Sequence, residues 1–381
     1  MPAPVVPSSS GRRAPPADGL GRRFASRLAH RLGERLAGAL AAVLAATLAV
    51  APAGAQRAYS AVNFFGDSFV DAGAFDLLAR DLSFGRVGFP PPPYADGRFS
   101  DGAVWSEGFA RRLGLAGDAR PRRLGGRNWA YGGATTGTTN VTFRDRRLQL
   151  PVDAARAAVG AQPANWDSLA TLGGYGLRGQ VGLFSALNPR GNQGTLAVLF
   201  AGGNDFVNDL GPDPGVTLGN AVRNVVNSVA QLYGTGVRDF LVPSLPDLSR
   251  TPRAQALPPA QRELFSNLLG AYNQVLDRAL TGFATATGAN ILGLRLDTLF
   301  DNILRHPGRY GFTNTTAPCF GTGLPCATSV FADDIHPTTR VHDLVADAAF
   351  RRVVQGRDVT VVPEPATVLL LAGGLAGLGV A

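Results

Sequence analysis

Four short apolar runs along the chain predict buried β-strands. They cover residues 61–65, 196–200, 238–242 and 290–296. Two longer segments between them, residues 218–232 and 261–283, repeat apolar side chains at the helical period. Strands that alternate with helices in this way predict an α/β fold with a parallel sheet and helices on both of its faces.

The segments between the first two strands are less regular. Helical spacing begins at Asp76 and resumes over residues 103–113, and four consecutive prolines, 90–93, exclude a helix or a central strand between them. The turn-rich loop 94–102 is either a wall of a binding site or plain surface packing. Residues 137–179 are interpreted as an excursion that carries one helix, around residues 152–159.

The amino-terminal residues 1–55 have the pattern of a secretory signal peptide. An arginine-rich leader precedes an uncharged apolar run, 36–50, and small residues then form a cleavage site for signal peptidase after Ala55. A membrane anchor is the alternative, but the apolar run is short for one. Residues 56–360 then remain as one large domain.

Composition and charge exclude a nucleic-acid partner. Hydrophobic residues make up 45% of the chain and charged residues 17%, which is typical of a folded protein. The formal net charge is +8, and every basic residue is arginine, but seven of the 36 arginines precede Leu36. Cleavage of the leader would therefore remove most of the excess positive charge, and no basic binding face is predicted for the remaining chain.

Polar residues follow the first two predicted strands directly. Asp67 and Ser68 come after the first strand, and Asn204 and Asp205 come after the second. The carboxyl ends of parallel strands meet at the sheet edge where ligands bind, so these side chains are candidates for a site. The alternative is an ordinary strand-to-helix turn, in which the same residue types are common.

The two cysteines lie close to a second polar cluster. Cys319 and Cys326 bracket a loop that precedes the segment Asp333-Asp334-Ile335-His336. In an exported protein such a pair predicts a disulfide, which would hold the neighbouring Asp/His loop in place. No metal site is predicted, because no further ligands lie at the spacing that a zinc site needs.

Four short blocks, in this order, carry a family resemblance. The chain resembles the GDSL lipases of the SGNH hydrolase superfamily over about residues 61–345. The resemblance implies a flavodoxin-like three-layer α/β/α sandwich with a parallel central sheet, and hydrolysis of carboxylic esters without a cofactor. The blocks are Gly66-Asp67-Ser68, Asn128-x-Ala130-x-x-Gly133, Gly203-Asn204-Asp205 and Asp333-x-x-His336-Pro337.

By position in the blocks, Ser68 resembles the nucleophile, His336 the general base and acid, and Asp333 the residue that orients the imidazole. The residues support the same roles independently, because a serine hydroxyl needs a neighbouring imidazole, and the imidazole needs an acid to fix its tautomer. Asp334 is the competing candidate for the acid, and the Asp-x-x-His interval favours Asp333.

The resemblance also assigns the groups around the reacting carbonyl. Gly133, Asn204 and the backbone N–H of Ser68 resemble the donors of an oxyanion hole, which stabilise the tetrahedral intermediate. Asp67 and Asp205 are interpreted as structural residues that bond backbone N–H groups and hold the turns.

The carboxyl-terminal residues 361–381 resemble a PEP-CTERM sorting signal. Pro363-Glu364-Pro365 precedes an uncharged apolar run, although the arginine cluster typical of such signals does not follow it. The resemblance implies a Gram-negative bacterium, processing by an exosortase, and transient or terminal membrane association. We therefore expect export to the periplasm, the outer surface or the extracellular matrix.

The sequence thus predicts a secreted, monomeric serine ester hydrolase that acts on a lipid or an acylated carbohydrate. One alternative is an acyltransferase or a polysaccharide O-deacetylase on the same scaffold, because the same nucleophile, base and donors serve any acyl transfer. A second alternative is a non-catalytic protein of an exopolysaccharide matrix. An intact Ser68, Asp333 and His336 argue against the second.

Overall fold

A computed structural model describes residues 59–208 and 210–359. The predicted signal peptide, 1–55, and the predicted sorting signal, 361–381, lie outside the described residues. Within those residues, no helix combines the length and the apolar character needed to cross a membrane.

Four parallel strands form the central sheet of the described residues, in the order in which they occur along the chain. The first three are buried along their whole length, which explains why apolar side chains predominate in them. The parallel sheet and all four of its strands were predicted. The strands are β1 (Ala61–Gly66), β2 (Thr195–Phe200), β3 (Asp239–Pro243) and β4 (Asn290–Leu294).

Twelve α-helices occupy the described residues. They are α1 (Ala74–Leu82), α2 (Trp105–Arg112), α3 (Arg146–Ala157), α4 (Trp166–Leu172), α5 (Leu177–Leu187), α6 (Gly203–Val207), α7 (Pro214–Gly234), α8 (Pro252–Gln255), α9 (Pro259–Thr287), α10 (Leu296–Arg305), α11 (Pro307–Tyr310) and α12 (Thr339–Gln355).

Helices cover both faces of the sheet. Successive residues of a strand point to opposite faces, and Phe64 packs edge-on against Trp105 and Phe109 of α2, whereas Phe65 packs edge-on against Phe184 of α5. Helix α12 packs against α2, and α7 packs against both α5 and α9. The result is the predicted three-layer α/β/α arrangement.

Two sequence predictions were wrong in detail. The excursion of residues 137–179 carries α3, α4 and the start of α5 rather than one helix, because α3 begins at Arg146 with the Asp145 side chain as its cap, α4 follows, and α5 starts at Leu177. The fourth strand ends at Leu294 rather than at residue 296, because Leu296, Leu299, Phe300 and Ile303 are the buried face of α10.

A small second sheet lies outside the central one. It pairs β5 (Asn314–Pro318) with β6 (Ser329–Phe331) in parallel. A disulfide between Cys319 and Cys326 closes the loop between these two strands. Strand β6 leads directly into the segment that contains Asp333 and His336.

Candidate active site

Gly66, at the end of β1, brings the chain unusually close to β2. A Cβ atom at this position would lie 2.1 Å from the carbonyl oxygen of Phe200, and the φ angle is +153°. The buried Gln180 side chain fixes the same point, since its Oε1 accepts from the Gly66 N–H and its Nε2 donates to the Gly66 carbonyl, both at 2.8 Å. The strand therefore stops abruptly, and Ser68 emerges two residues later.

The structure brings Ser68, His336 and Asp333 into one hydrogen-bonded chain. His336 Nε2 lies 2.8 Å from Ser68 Oγ, and His336 Nδ1 lies 2.6 Å from Asp333 Oδ2. The other carboxylate oxygen, Oδ1, accepts from the backbone N–H groups of Ile335, at 2.8 Å, and His336, at 2.6 Å. The geometry is that of a nucleophile, a base and an orienting acid.

Asp333 is held in its ionised form. Burial alone would raise its pKa, but the charge of His336 and the hydrogen bonds from His336 and Tyr94 lower the pKa below the ordinary value of an aspartate. Tyr94 donates its hydroxyl to Asp333 Oδ2 at 2.6 Å. Sequence reasoning missed this residue, because it lies 239 positions away from its partner.

Asp334, the competing acid, contacts a different residue. Its two carboxylate oxygens accept from Nε and Nη2 of Arg253, at 3.0 and 2.9 Å, and its carbonyl accepts from the Arg253 N–H at 2.8 Å. This bidentate ion pair fastens the 333–336 loop to α8. The structure therefore places Asp333, and not Asp334, beside the imidazole.

The three predicted oxyanion donors line one cleft together with Ser68 Oγ. Among the described residues, no hydrogen bond engages the backbone N–H of Ser68 or of Gly133. Asn204 Nδ2 donates one of its two hydrogens to the Ala134 carbonyl, at 3.1 Å, which leaves the other for a ligand. The arrangement can present three donors to one oxygen atom.

Gly133 has to be glycine for two reasons. Its φ angle is +81°, in the left-handed region, and a Cβ there would lie 2.0 Å from Thr142 Oγ1. The Asn140 side chain supports the same turn, since Nδ2 donates to the Gly132 carbonyl at 2.9 Å.

Two buried carboxylates clamp the loop that carries Gly133. Asp205 in α6 accepts from the Thr136 N–H at 2.9 Å and from the Thr136 hydroxyl at 2.6 Å. Asp71 accepts from the Gly132 N–H at 2.8 Å and from three N–H groups at the start of α1. The ends of β1 and β2 are thereby tied to one loop, and sequence reasoning missed Asp71, although it lies three residues before Ala74.

Asp67 is the third buried carboxylate of this region. Its Oδ1 accepts from the Phe69 N–H at 3.0 Å, which shapes the turn around the serine. Burial raises its pKa to about 7, and the charge of Asp205 adds to that increase. Burial likewise raises the pKa of Asp71 to about 6. These groups hold backbone N–H groups and do not contact Ser68 Oγ or His336 through hydrogen bonds in the described residues.

The cleft has a volume of about 690 Å³. The long loop after α1 forms one wall of it through Pro90, Pro91, Tyr94 and Phe99, so the first of the two interpretations of that loop agrees with the structure. Apolar side chains from later parts of the sequence also line the cleft, namely Phe200, Leu245, Leu248, Phe300 and Leu304. The cleft thus combines these apolar side chains with many polar and charged ones, which include Arg144, Arg147, Arg250 and Arg253.

Outside the Ser68–His336–Asp333 chain, metal-binding groups and other histidines would be the further candidates for chemistry in the described residues. No group of three or more His, Cys, Asp or Glu side chains in residues 59–208 and 210–359 is placed to hold a metal ion. His342 is buried against α2, where Nδ1 accepts from the Trp105 N–H at 3.2 Å, and burial lowers its pKa to about 3.

Comparison with protein families agrees with this geometry. The family model described as "GDSL-like Lipase/Acylhydrolase" matches residues 62–349. The match covers most of the chain and includes all four blocks.

Several curated proteins are similar to the chain. The esterase EstA of Pseudomonas aeruginosa is 29% identical over 372 residues, which cover 83% of this chain and 50% of that protein. An uncharacterized protein of the trpE-trpG intergenic region in Pseudomonas putida is 27% identical over 343 residues, or 84% of this chain and 52% of that one. A GDSL esterase/lipase of Arabidopsis thaliana is 26% identical over 340 residues, which cover 78% of this chain and 90% of that protein. The chain spans about half the length of the two Pseudomonas relatives.

Among solved structures, a member of the lipolytic G-D-S-L family from Veillonella parvula aligns with 78% of this chain and 98% of its own. The TM-score is 0.34 and the sequence identity is 10%.

Proposed function

Given that the chain belongs to the GDSL-like lipase/acylhydrolase family, we propose that it hydrolyses carboxylic esters through an acyl-enzyme on Ser68. The observation that carries the proposal is the continuous chain of hydrogen bonds from Asp333 through His336 to Ser68 Oγ, which ends in a cleft. Esterases and lipases among the relatives support the reaction class.

The first half of the reaction forms the acyl-enzyme. His336 Nε2 takes the hydroxyl proton as Ser68 Oγ attacks the ester carbonyl, and Asp333 stabilises the imidazolium that results. The carbonyl oxygen becomes negative in the tetrahedral intermediate, and the donors of Ser68, Gly133 and Asn204 stabilise it there. His336 then returns the proton to the leaving alcohol oxygen.

The second half releases the acid. A water molecule attacks the acyl carbon while His336 Nε2 takes one of its protons, and the same donors stabilise the second tetrahedral intermediate. Collapse of that intermediate breaks the bond to Ser68 Oγ, which regains its proton from His336. No other group is needed for the balance of atoms and electrons.

We further propose a substrate class and a cellular location for the enzyme. The substrate is an ester with an apolar acyl chain, and the apolar side chains in the mixed lining of the cleft, such as Leu245, Leu248 and Phe300, support this proposal. The leader pattern of residues 1–55 and the disulfide support action after export, with signal peptidase and then an exosortase as processing partners.

A labelling experiment tests the nucleophile. A fluorophosphonate probe should react once with the wild-type protein and should not react with Ser68→Ala, because only an activated serine attacks phosphorus. Ser60→Ala, an exposed serine before β1, is the matched control and should be labelled like the wild type. Labelling that persists in Ser68→Ala would place the nucleophile elsewhere.

A substrate panel tests the reaction. The protein is offered p-nitrophenyl esters from acetyl to palmitoyl, together with an acetylated polysaccharide, with and without an alcohol acceptor. Release of free acid from the longer esters supports the proposal. A product in which the acyl group has moved to the acceptor alcohol would support the acyltransferase, and activity on the polysaccharide alone would support the deacetylase.

A further inference from the structure

Tyr94 joins the wall of the cleft to the proposed acid. Its hydroxyl donates to Asp333 Oδ2 at 2.6 Å, and the same oxygen lies 2.6 Å from His336 Nδ1. We propose that Tyr94 is a positioning residue of the reaction, which fixes the carboxylate of Asp333 and limits how strongly that carboxylate holds the imidazolium of His336. The proposal rests on the function proposed above.

The two oxygens of Asp333 are held in different ways. Oδ1 is fixed by the backbone N–H groups of Ile335 and His336, which belong to the same loop. Oδ2 is fixed by His336 and by Tyr94. Among the described residues, Tyr94 is the one side chain from outside the 333–336 loop that hydrogen-bonds Asp333. Without it, the oxygen that faces the imidazole keeps no donor except the imidazole itself.

Tyr94 is itself packed against two aromatic rings, one from its own loop and one from the disulfide loop. Its ring meets Phe320 edge-on at 5.0 Å and Phe99 at 6.4 Å, and Phe99 lies 5.3 Å from the His336 ring. Phe320 belongs to the disulfide loop, and its N–H donates to the Ala332 carbonyl, one residue before Asp333. The phenol therefore has a fixed position relative to the carboxylate.

The phenol acts as a donor at every working pH. Burial and the nearby charge of Asp333 raise the pKa of Tyr94 above the ordinary value of a tyrosine, so it stays protonated. A donor to Oδ2 draws charge from the carboxylate and weakens its attraction for the imidazolium. Removal of the donor should therefore stabilise the protonated form of His336, so a smaller fraction of His336 is neutral and able to act as the base at a given pH.

Other charged groups around the pair do not change in the test. Arg147 of α3 also lines the cleft and interacts electrostatically with both Tyr94 and Asp333. Asp334 lies beside them with its partner Arg253, and Asp67 lies near His336.

The test compares Tyr94→Phe with Tyr175→Phe in the full chain. Tyr175 is also half-buried and packs against other aromatic rings, with its ring edge-on to Tyr131 at 5.0 Å, but it has no hydrogen bond to Asp333. In Tyr94→Phe, kcat should fall roughly tenfold, with KM changed less than about twofold, since a hydrogen bond to a charged group is lost. The acid limb of the kcat/KM profile should move up by roughly half to one pH unit. Tyr175→Phe should match the wild type in both measurements.

Proton NMR gives a readout that does not require activity. The downfield resonance of the proton between His336 Nδ1 and Asp333 should shift in Tyr94→Phe and stay in place in Tyr175→Phe. If the wild type hydrolysed no ester, the proposed function would fail, and this resonance would still decide whether Tyr94 acts on the pair.

A second variant keeps the ring and covers the case in which Tyr94→Phe does not fold. Tyr94→3-fluorotyrosine has a more acidic phenol, which donates a stronger hydrogen bond, so the acid limb should move to lower pH. Shifts in opposite directions in the two variants support the proposal. An unchanged profile and resonance would overturn it, and a fall in kcat with neither shift would reduce Tyr94 to a packing residue of the wall.

Discussion

The two sides of the cleft are built differently. The nucleophile side, which comprises the turn of Ser68 and the loop of Gly133, lies at the carboxyl ends of buried strands and is tied together by buried carboxylates. The base side, residues 319–338, lies outside the central sheet and is held by a disulfide, a tyrosine and an ion pair. We therefore expect the backbone of the nucleophile side to lose its position only when the protein unfolds, whereas the base side should loosen locally, and lose activity, while the fold persists.

The largest expected effect is on the base side. Asp333→Asn should lower kcat by about 10⁴-fold, because the amide favours the wrong tautomer of His336. Asp334→Asn should cost far less, because Asp334 contacts Arg253 and not the imidazole. Steady-state kinetics of the two variants decide the matter, and circular dichroism should show both folded. A larger loss in Asp334→Asn than in Asp333→Asn would reverse the assignment.

The next effect belongs to the nucleophile side. Asn204→Ala should lower kcat by about 10²- to 10³-fold with little change in KM, because the amide acts on the oxyanion and hardly on the bound substrate. Asn220→Ala, an exposed asparagine of α7, is the control and should behave as the wild type. A normal kcat in Asn204→Ala would remove this residue from the oxyanion hole.

The pH dependence of stability should differ between the two sides. The pKa of Asp67 is raised to about 7, so its contribution to stability is fully present below the ordinary value near 3.8 and is lost as the pH rises through about 7. The pKa of Asp333 is lowered, so its contribution is present above 3.8 and is lost only as the pH falls below that value.

Urea unfolding of Asp67→Asn measures this difference. The asparagine keeps the oxygen that accepts from the Phe69 N–H but cannot ionise. Between about pH 5 and about pH 8, the wild type should lose about 2 kcal/mol of unfolding free energy relative to the variant. The buried His342 titrates in both proteins and cancels in the comparison. A constant difference across this range would show that Asp67 does not ionise there.

The smallest effect should follow from reduction of the disulfide. The bond closes a loop of seven residues' separation, which stabilises the fold by only about 2.5 kcal/mol on the chain-entropy model. Dithiothreitol should lower activity several-fold, at a temperature where circular dichroism is unchanged, because Phe320 then supports Tyr94 less firmly. A variant with both Cys319→Ala and Cys326→Ala should not respond to the reductant. Simultaneous loss of activity and structure would mean that the bond supports the whole fold.

Much of the nucleophile side could be predicted from sequence, because its signals are local. An apolar strand followed at once by Gly66, Asp67 and Ser68 can be recognised in a dozen residues, and the same holds for Asn204 after β2. The four central strands could be placed for the same reason.

The base side depends on contacts that sequence spacing does not contain. Tyr94 and Asp333 are 239 positions apart, and Arg253 and Asp334 are 81 apart, so no periodicity links them. Helix α12 was missed for a different reason. Three of its six buried residues are alanine and one is histidine, whereas α7 buries three valines and a leucine, so the apolar pattern of α12 is weaker.

The close approach at Gly66 has a consequence for efforts to redesign the enzyme. A single methyl group there would collide with the Phe200 carbonyl, and the strands would have to move apart to admit it. The spacing between Ser68 and the residues that follow β2 thus depends on the absence of a Cβ atom at Gly66. Position 66 should therefore remain glycine in any mutant library. The exposed prolines 91–93 of the wall are better positions to randomise, because substitutions there should not move the sheet.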